Sequence, residues 1–203
     1  MGMILGLSTV ADSTIDRLLE KPILIWQVLA PDDHGGAASR STEQTPGFFA
    51  RLFRRKKADC VPPPMPELPL ADDERNETDL DKAWHGIHYL LTGSDWGGDP
   101  PLNFLVTGGL PVGDIDVGYG PARVFHSSEV ARIHDALCAI QPDELRRRYN
   151  PDAMMEQEIY PTIWDRDPKD DDALGYLVEY FAVLRRFISE AAGRGLGIVV
   201  TIS

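Results

Sequence analysis

The sequence is poor in cysteine, which excludes two classes of small protein. Only Cys60 and Cys138 occur among its 203 residues. Two cysteines are too few for a disulfide framework or a cysteine-rich zinc site. Neither has a histidine and a basic residue beside it in the sequence, as an activated thiol would favour. We therefore expect both to be free thiols.

The sequence also lacks long apolar runs and an excess of basic residues. No run approaches the roughly 18 residues that cross a bilayer, and the start, Met1 to Val10, has no basic segment typical of a signal peptide. The 32 acidic residues outnumber the 20 basic ones and give a net charge of −12, which opposes contact with nucleic acid or anionic membranes. These features predict a soluble, cytoplasmic protein that binds neither, and they favour a basic protein partner.

Common catalytic and cofactor motifs are missing as well. The chain has no Gly-x-Ser-x-Gly elbow and no phosphate-binding loop, and Gly118-Tyr-Gly120 lacks the third glycine of a dinucleotide fingerprint. We therefore expect no cofactor. Whether the protein is an enzyme is left open at this stage.

The apolar pattern predicts an α/β fold in one domain. Residues 1–10 and 196–202 are nearly unbroken apolar stretches, typical of strands buried on both faces. Long segments of helical spacing separate them. We predict a layered sandwich in which a central, mostly buried sheet of few strands is covered by helices.

Local signals place several elements within this fold. Two helices are predicted with N-caps at Asp12 or Ser13 and at Ser127 or Ser128, and a third is predicted to begin at Pro142. A long helix is predicted from Leu174 to near Gly193 or Gly195. Residues 22–30 favour a helix, and residues 118–126 favour a strand. The glycine-rich stretch that follows Gly93 is predicted to be a long exposed loop.

Residues 31–73 differ in composition from the rest of the chain. Residues 31–47 predict a mobile loop, residues 48–57 a short basic amphipathic helix and residues 60–70 a proline-rich linker.

Residues 79–93 hold the densest group of reactive side chains. We predict a helix with Asp79 as N-cap and Gly93 just past its end. Its core-facing stripe consists of Leu80, Trp84, Ile87 and Leu91. The polar flank consists of Asp81, His85, His88 and Thr92, at the predicted border between core and solvent, with Lys82 on the same helix.

This flank and a second group define the candidate site. Asp81, His85 and His88 could supply metal ligands, but the His-Glu-x-x-His signature is absent, so we predict no metal and favour a structural role for His88. His126 lies at a strand-to-helix junction, where helix N–H groups can hold an anion. Arg123 is on the same strand, with its side chain on the opposite face. The candidate residues are Asp81, Lys82, His85, His88, Arg123 and His126.

Several segments together resemble the YfbM-like family. They are Met1-Gly-Met-Ile4, Asp79-Leu-Asp-Lys-Ala-Trp84 with His88 and Leu91-Thr-Gly93, Pro101-Leu102, Ile115-Asp-Val-Gly118, Ser128-Glu-Val-Ala131, Glu144-Leu-Arg146 with Tyr149, and Met155 with Ile159-Tyr-Pro161. The resemblance covers most of the chain and implies a single domain over residues 1–203 with an α/β layered fold. The family is a bacterial domain of unknown function, so no activity is implied. Residues 31–73 depart from the family pattern and are predicted to be an insertion.

Two functional hypotheses follow. In the first, the acidic chain is an intracellular protein-binding module, for example an immunity-type inhibitor of a basic toxin. In the second, it is a small-ligand-binding protein or enzyme with a site at the edge between His88 and His126, covered by the glycine-rich loops.

Overall fold

The structure, a computed structural model, describes residues 2–30, 68, 70 and 74–203. The predicted insertion over residues 31–73, with its loop, basic helix and proline-rich linker, lies outside the described residues except for Leu68 and Leu70. Leu68 is buried and its N–H donates to Gln27 Oε1 at 2.7 Å.

One antiparallel sheet forms the centre of the described fold. Its strands are β1 (Leu5–Val10), β2 (Glu77–Asp79), β3 (Leu110–Asp116), β4 (Pro121–Phe125) and β5 (Gly197–Ile202), in the order β2-β1-β5-β4-β3. Strand β5 lies in the middle, and its pairing with β1 is continuous from Leu5 opposite Ile202 to Val10 opposite Gly197. The two apolar ends predicted as buried strands are therefore neighbours.

Helices cover both faces of this sheet. They are α1 (Asp12–Glu20), α2 (Ile25–Leu29), α3 (Trp84–Thr92), α4 (Ser127–Ala139), α5 (Pro142–Arg148), α6 (Pro151–Glu156) and α7 (Ala173–Gly193), with a 3₁₀ turn at Pro22–Leu24. None of these helices is long and apolar enough to cross a membrane.

Alternating side chains of the strands divide the interior into two cores. Leu5 and Leu7 of β1 and Val200 of β5 join the larger core, which they share with helices α3 to α7. Val199 of β5 and Val124 of β4 face the smaller core, which includes side chains of α1 and α2. The predicted α/β fold, a buried sheet between helical layers, is confirmed.

Two edge strands were missed by the sequence pattern. Strand β2 has only three residues, Glu77 to Asp79, the last of which was predicted to be the N-cap of a helix. Strand β3 falls where an exposed loop was predicted, because Pro111 and Gly113 interrupt its alternation and its pairing with β4 shifts register. Short, charged or interrupted strands are typical of sheet edges.

Two predicted N-caps were also wrong. The N-cap of α1 is Ala11, and the carboxylate of Asp12 instead accepts the N–H and the hydroxyl of Ser127, each at 2.7 Å. The N-cap of α4 is His126, whose N–H donates to Glu129 Oε2 at 3.0 Å. Pro142 does begin α5, and α7 ends at Gly193, the first of its two predicted ends.

Candidate functional site

Helix α3 begins at Trp84, with Ala83 as its N-cap, four residues later than predicted. Asp79 belongs to β2, and its Oδ1 accepts the N–H of Asp81 at 2.9 Å. Asp81 has a φ of 42°, so the chain turns there before the helix starts. Gly93 follows the helix in the left-handed conformation, as predicted. Asp81 and Lys82 are therefore not part of a polar flank along α3.

Asp81 and Lys82 instead connect this turn to α7. The hydroxyl of Tyr176 donates to Asp81 Oδ2 at 2.9 Å and accepts the N–H of Lys82 at 3.1 Å. Burial and the adjacent Asp81 carboxylate raise the pKa of Tyr176. Tyr176 therefore remains protonated and links α7 to the turn that precedes α3.

The imidazole of His85 is held by backbone groups on both ring nitrogens. Its side chain is 2% exposed. Nδ1 accepts the N–H of Tyr160 at 3.0 Å, so Nε2 carries the proton and donates to the carbonyl of Asp95 at 2.9 Å. Burial lowers the pKa of His85. The ring is thus neutral, and both of its nitrogens are occupied in a structural link between two loops.

The imidazole of His88 is buried still more deeply. It is 0% exposed, Nε2 lies 3.4 Å from Thr92 Oγ1, and Nδ1 has no hydrogen-bond partner. Burial, followed by the nearby His85, lowers the pKa of His88 to about 4. The predicted position of His85 and His88 at the border with solvent was therefore wrong. A structural role for His88, the favoured interpretation, agrees with its burial.

Aromatic rings enclose this pair of histidines. Trp84 stacks on His85 with ring centroids 4.8 Å apart, and its Nε1–H donates to the carbonyl of Met3 at 3.2 Å. Trp96 contacts both rings, with its centroid 4.8 Å from that of His85 and 6.0 Å from that of Trp84. At Gly86, an added Cβ would lie 2.7 Å from Leu177 of α7, so a glycine is required for the close approach of the two helices. These contacts explain why α3 is buried around its whole circumference.

Arg123 organises the loop that precedes β3. Its guanidinium donates to four backbone carbonyls, at 2.7 to 3.3 Å, those of Phe104, Leu105, Thr107 and Gly108. Burial lowers the pKa of Arg123 to about 10, which leaves it charged at neutral pH. The guanidinium of Arg123 therefore points into the protein, where it supplies hydrogen-bond donors to the backbone carbonyls of an irregular loop.

His126 lies in a different environment. Its Nε2 is 3.1 Å from Asp16 Oδ1 of α1, and its N–H is bound by Glu129. None of these contacts is shared with His88, whose neighbours are His85 and Thr92. The structure brings His85 and His88 together, but His126 joins neither them nor Arg123.

The described residues contain no metal-binding arrangement of three or more His, Cys, Asp or Glu side chains.

An exposed cleft lies near Arg123, on the outer side of the loop it organises. We call it the aromatic cleft, and it has a volume of about 320 Å³. Its lining includes Trp96, Pro111, Tyr119, Pro121, Arg123 and Ile202. Trp96 and Tyr119 are 51% and 57% exposed, the two highest values among the large hydrophobic side chains that the structure describes. The cleft therefore presents two exposed aromatic rings to solvent.

The β3–β4 turn positions Tyr119 at the edge of this cleft. Asp116 Oδ1 accepts the N–H groups of Gly118 and Gly120, at 2.9 and 3.0 Å, and these bonds lower the pKa of Asp116. The N–H of Tyr119 donates to the carbonyl of Ile202 at 2.8 Å. The exposed ring is therefore carried on a turn whose backbone is fixed.

Sequence reasoning identified Arg123 among the residues of the aromatic cleft but missed its two exposed aromatic side chains, Trp96 and Tyr119. A usable signal was present, since Trp96 lies between Asp95 and Gly97 and Tyr119 lies between two glycines. An isolated aromatic residue in a polar, glycine-rich stretch has little local apolar surface to pack against.

A thiol–imidazole pair was missed as well. Cys138 Sγ lies 3.3 Å from His134 Nε2 on the exposed face of α4, at the i, i+4 spacing of helix neighbours. Cys138 is a free thiol, as predicted, whereas Cys60 lies outside the described residues.

Comparisons with known proteins agree with the fold and the resemblance. The chain is 28% identical to Protein YfbM of Escherichia coli strain K12 over 126 residues, which cover 58% of this chain and 73% of that protein. The fold is similar to the crystal structure of YfbM from Escherichia coli, a protein of unknown function, with a TM-score of 0.63, 18% identity and coverage of 98% of this chain and 99% of that one. The family model for the domain of unknown function DUF1877 matches residues 1–201. The chain therefore belongs to the DUF1877 family, whose members include YfbM-like proteins.

Proposed function

We propose that this protein is a binding module that receives a basic segment of a protein partner in the aromatic cleft. The observation that carries the proposal is the convergence of Trp96 and Tyr119, the two most exposed large hydrophobic side chains among the described residues, on one concave surface. Tryptophan and tyrosine are enriched among the residues that dominate binding energy at protein interfaces.

The chemistry of the cleft favours arginine or lysine side chains. The faces of Trp96 and Tyr119 can receive cations, at about 0.5–2 kcal/mol per contact. Exposed carboxylates lie close by in sequence, at Asp99 after Trp96 and at Asp114 in β3. The net charge of −12 adds long-range attraction for a basic partner. The charge of Arg123, which also lines the cleft, opposes this attraction, although its N–H groups are directed to backbone carbonyls.

Binding is favoured over catalysis by the state of the histidines. Both nitrogens of His85 are occupied by backbone groups, and His88 has no exposed surface. A general acid or base must reach the proton it transfers. Neither side chain meets that requirement, so the alternative site at the edge between His88 and His126 receives no support from their positions.

Peptide binding tests the proposal directly. A fluorescein-labelled arginine-rich peptide is titrated with the full chain, and a glutamate-rich peptide of equal length serves as the control. We expect Trp96→Ala and Tyr119→Ala each to weaken binding about tenfold or more, and added salt to weaken it further. Ile23→Ala is the matched control, because Ile23 is 47% exposed and does not line the cleft.

Two results would count against the proposal. Equal affinity of the wild type and both aromatic variants would remove the cleft from the binding surface. Equal affinity for the arginine-rich and glutamate-rich peptides would show that the cleft does not prefer a basic partner.

Inhibition of a basic toxin is one concrete form of this function. The test is co-expression of the chain with a basic toxin encoded by a neighbouring gene, where the genome contains one. Growth rescue that is lost in Trp96→Ala but retained in Ile23→Ala supports this form, and rescue that Trp96→Ala retains argues against it.

A further inference from the structure

A second cleft lies beside the aromatic cleft, across Gly108 and Gly109. We call it the α4 cleft because Glu129, Arg132 and Ile133 of α4 form one of its walls. Its volume is about 350 Å³, at the lower end of the range of about 300–1,000 Å³ for small-molecule sites. None of the residues predicted from the sequence as site residues lines it.

The floor of the α4 cleft is aromatic. Phe104 and Phe125 meet edge to face, with ring centroids 6.3 Å apart and an angle of 88°. Both rings are nearly fully buried beneath the cleft, so they are held rigidly. At Gly109, an added Cβ would lie 2.8 Å from the ring of Phe125, so glycine keeps this wall close to the ring without filling the space. The slot suits a flat apolar group.

Two opposite charges stand on the rim of this slot. Glu129 and Arg132 are three residues apart on α4 and therefore share a face of the helix. Arg132 is exposed and forms no hydrogen bond or ion pair with any residue that the structure describes. Glu129 uses Oε2 to accept the N–H of His126, so its second carboxylate oxygen is available to a ligand. The rim thus offers one cation and one anion to the same occupant.

We propose that the α4 cleft binds a free amino acid with an aromatic side chain. Arg132 pairs with the α-carboxylate, Glu129 pairs with the α-ammonium group, and the side chain enters the slot between Phe104, Phe125 and Ile133. Charge-assisted bonds at both ends explain why a cleft with an apolar floor carries two charged groups of opposite sign. The proposal does not depend on the aromatic cleft binding a protein.

Titration calorimetry with the full chain and L-phenylalanine tests this site. N-acetyl-L-phenylalanine retains only the carboxylate charge and represents a peptide C-terminus. L-phenylalaninamide retains only the ammonium charge and represents a peptide N-terminus. We expect each to bind about tenfold or more weakly than phenylalanine, since each forms one charged contact in place of two.

Two variants assign the charged contacts. Arg132→Gln is expected to weaken phenylalanine binding about tenfold or more while leaving the affinity for phenylalaninamide unchanged. Glu129→Gln keeps an oxygen for the N–H of His126 and is expected to equalise the affinities for phenylalanine and N-acetylphenylalanine. Arg186→Gln removes the same charge from an exposed position that does not line the cleft, and should bind phenylalanine like the wild type.

Three outcomes would overturn the proposal. They are no saturable heat with phenylalanine at millimolar concentration, equal affinity for all three compounds in the wild type, and unchanged phenylalanine binding in both charge variants. Trp96→Ala alters the aromatic cleft and leaves the α4 cleft lining intact. Loss of peptide binding and loss of phenylalanine binding are therefore separate results.

Discussion

Helix α3 and the segment from residue 94 to residue 121 place their polar and aromatic side chains in opposite settings. Helix α3 carries His85, His88 and Trp84, and all three are buried. The following segment carries few reactive groups, yet its Trp96 and Tyr119 are the most exposed large hydrophobic side chains among the described residues. The comparison teaches that a concentration of reactive residue types identifies a site only when the residues remain accessible.

The difference has a physical origin. In α3, the lone pair and the proton of His85 are taken by the backbone of Tyr160 and Asp95, so burial costs little. In the later segment, Asp116 and Arg123 satisfy the backbone of the turn and the loop. Trp96 and Tyr119 can therefore remain about half exposed, although the ring of Trp96 also contacts His85.

Truncation of Trp84 should give the largest effect. We expect Trp84→Ala to lower the free energy of unfolding by about 3–5 kcal/mol, because it leaves a cavity and removes the donor to Met3. Urea denaturation monitored by circular dichroism measures the change. Trp84→Phe should cost less and provides a folded variant if the alanine variant does not fold. If Trp84→Ala and Trp96→Ala lowered the free energy of unfolding equally, the two regions would not differ as described.

Replacement of Arg123 should have the next largest effect. Arg123→Met removes the donor to four loop carbonyls and should lower the free energy of unfolding by about 2–3 kcal/mol. Arg132→Gln is the matched control and should change it by less than about 0.5 kcal/mol. The same denaturation experiment measures both. If Arg123→Met left the free energy of unfolding nearly unchanged, the loop would not depend on the charge of Arg123.

Acid should destabilise the region of α3 in particular. Burial lowers the pKa of His88 to about 4, below the ordinary value of 6.5, so the unfolded chain binds the proton more readily. The stability due to neutral His88 is therefore complete above about pH 6.5, and roughly 2–3 kcal/mol of it is lost as the pH falls towards 4. Unfolding measured at pH 7 and pH 4.5 shows the loss.

Two variants assign this pH dependence. His88→Leu should remove most of the loss between pH 7 and pH 4.5, and Arg132→Gln should retain it. If His88→Leu kept the full loss, other groups would be responsible, His85 among them, because burial lowers its pKa as well.

The exposed rings should give the smallest effects on stability. Trp96→Ala and Tyr119→Ala are each expected to lower the free energy of unfolding by less than about 1 kcal/mol, since roughly half of each side chain is already in solvent. Their effect should instead be on peptide binding. A loss of several kcal/mol would show that these rings belong to the core, and would remove the main support for the aromatic cleft.

Sequence reasoning succeeded where the signal was local and continuous. Pro142 at the start of α5, Gly93 after α3, the long α7 and the buried terminal strands all follow from short-range rules. These features are enough to predict a covered sheet.

The remaining features depend on partners distant in the chain. The burial of His85 requires Tyr160, 75 residues away, to supply a hydrogen-bond donor. Strand β2 is a strand only because β1 lies beside it. The predicted position of His85 and His88 at the border with solvent was wrong for the same reason, since spacing along a helix does not reveal which loops will cover it.

The central position of β5 has a consequence for biosynthesis. Strand β1 has β5 on one side and only the three-residue β2 on the other. At about 5–20 residues per second, the ribosome makes the intervening residues in roughly 10–40 s. During that time, β1 lacks its main partner and the apolar face it shares with β5 is uncovered. The sheet of a nascent chain therefore closes only after residues 197–202 have been made and have paired with β1.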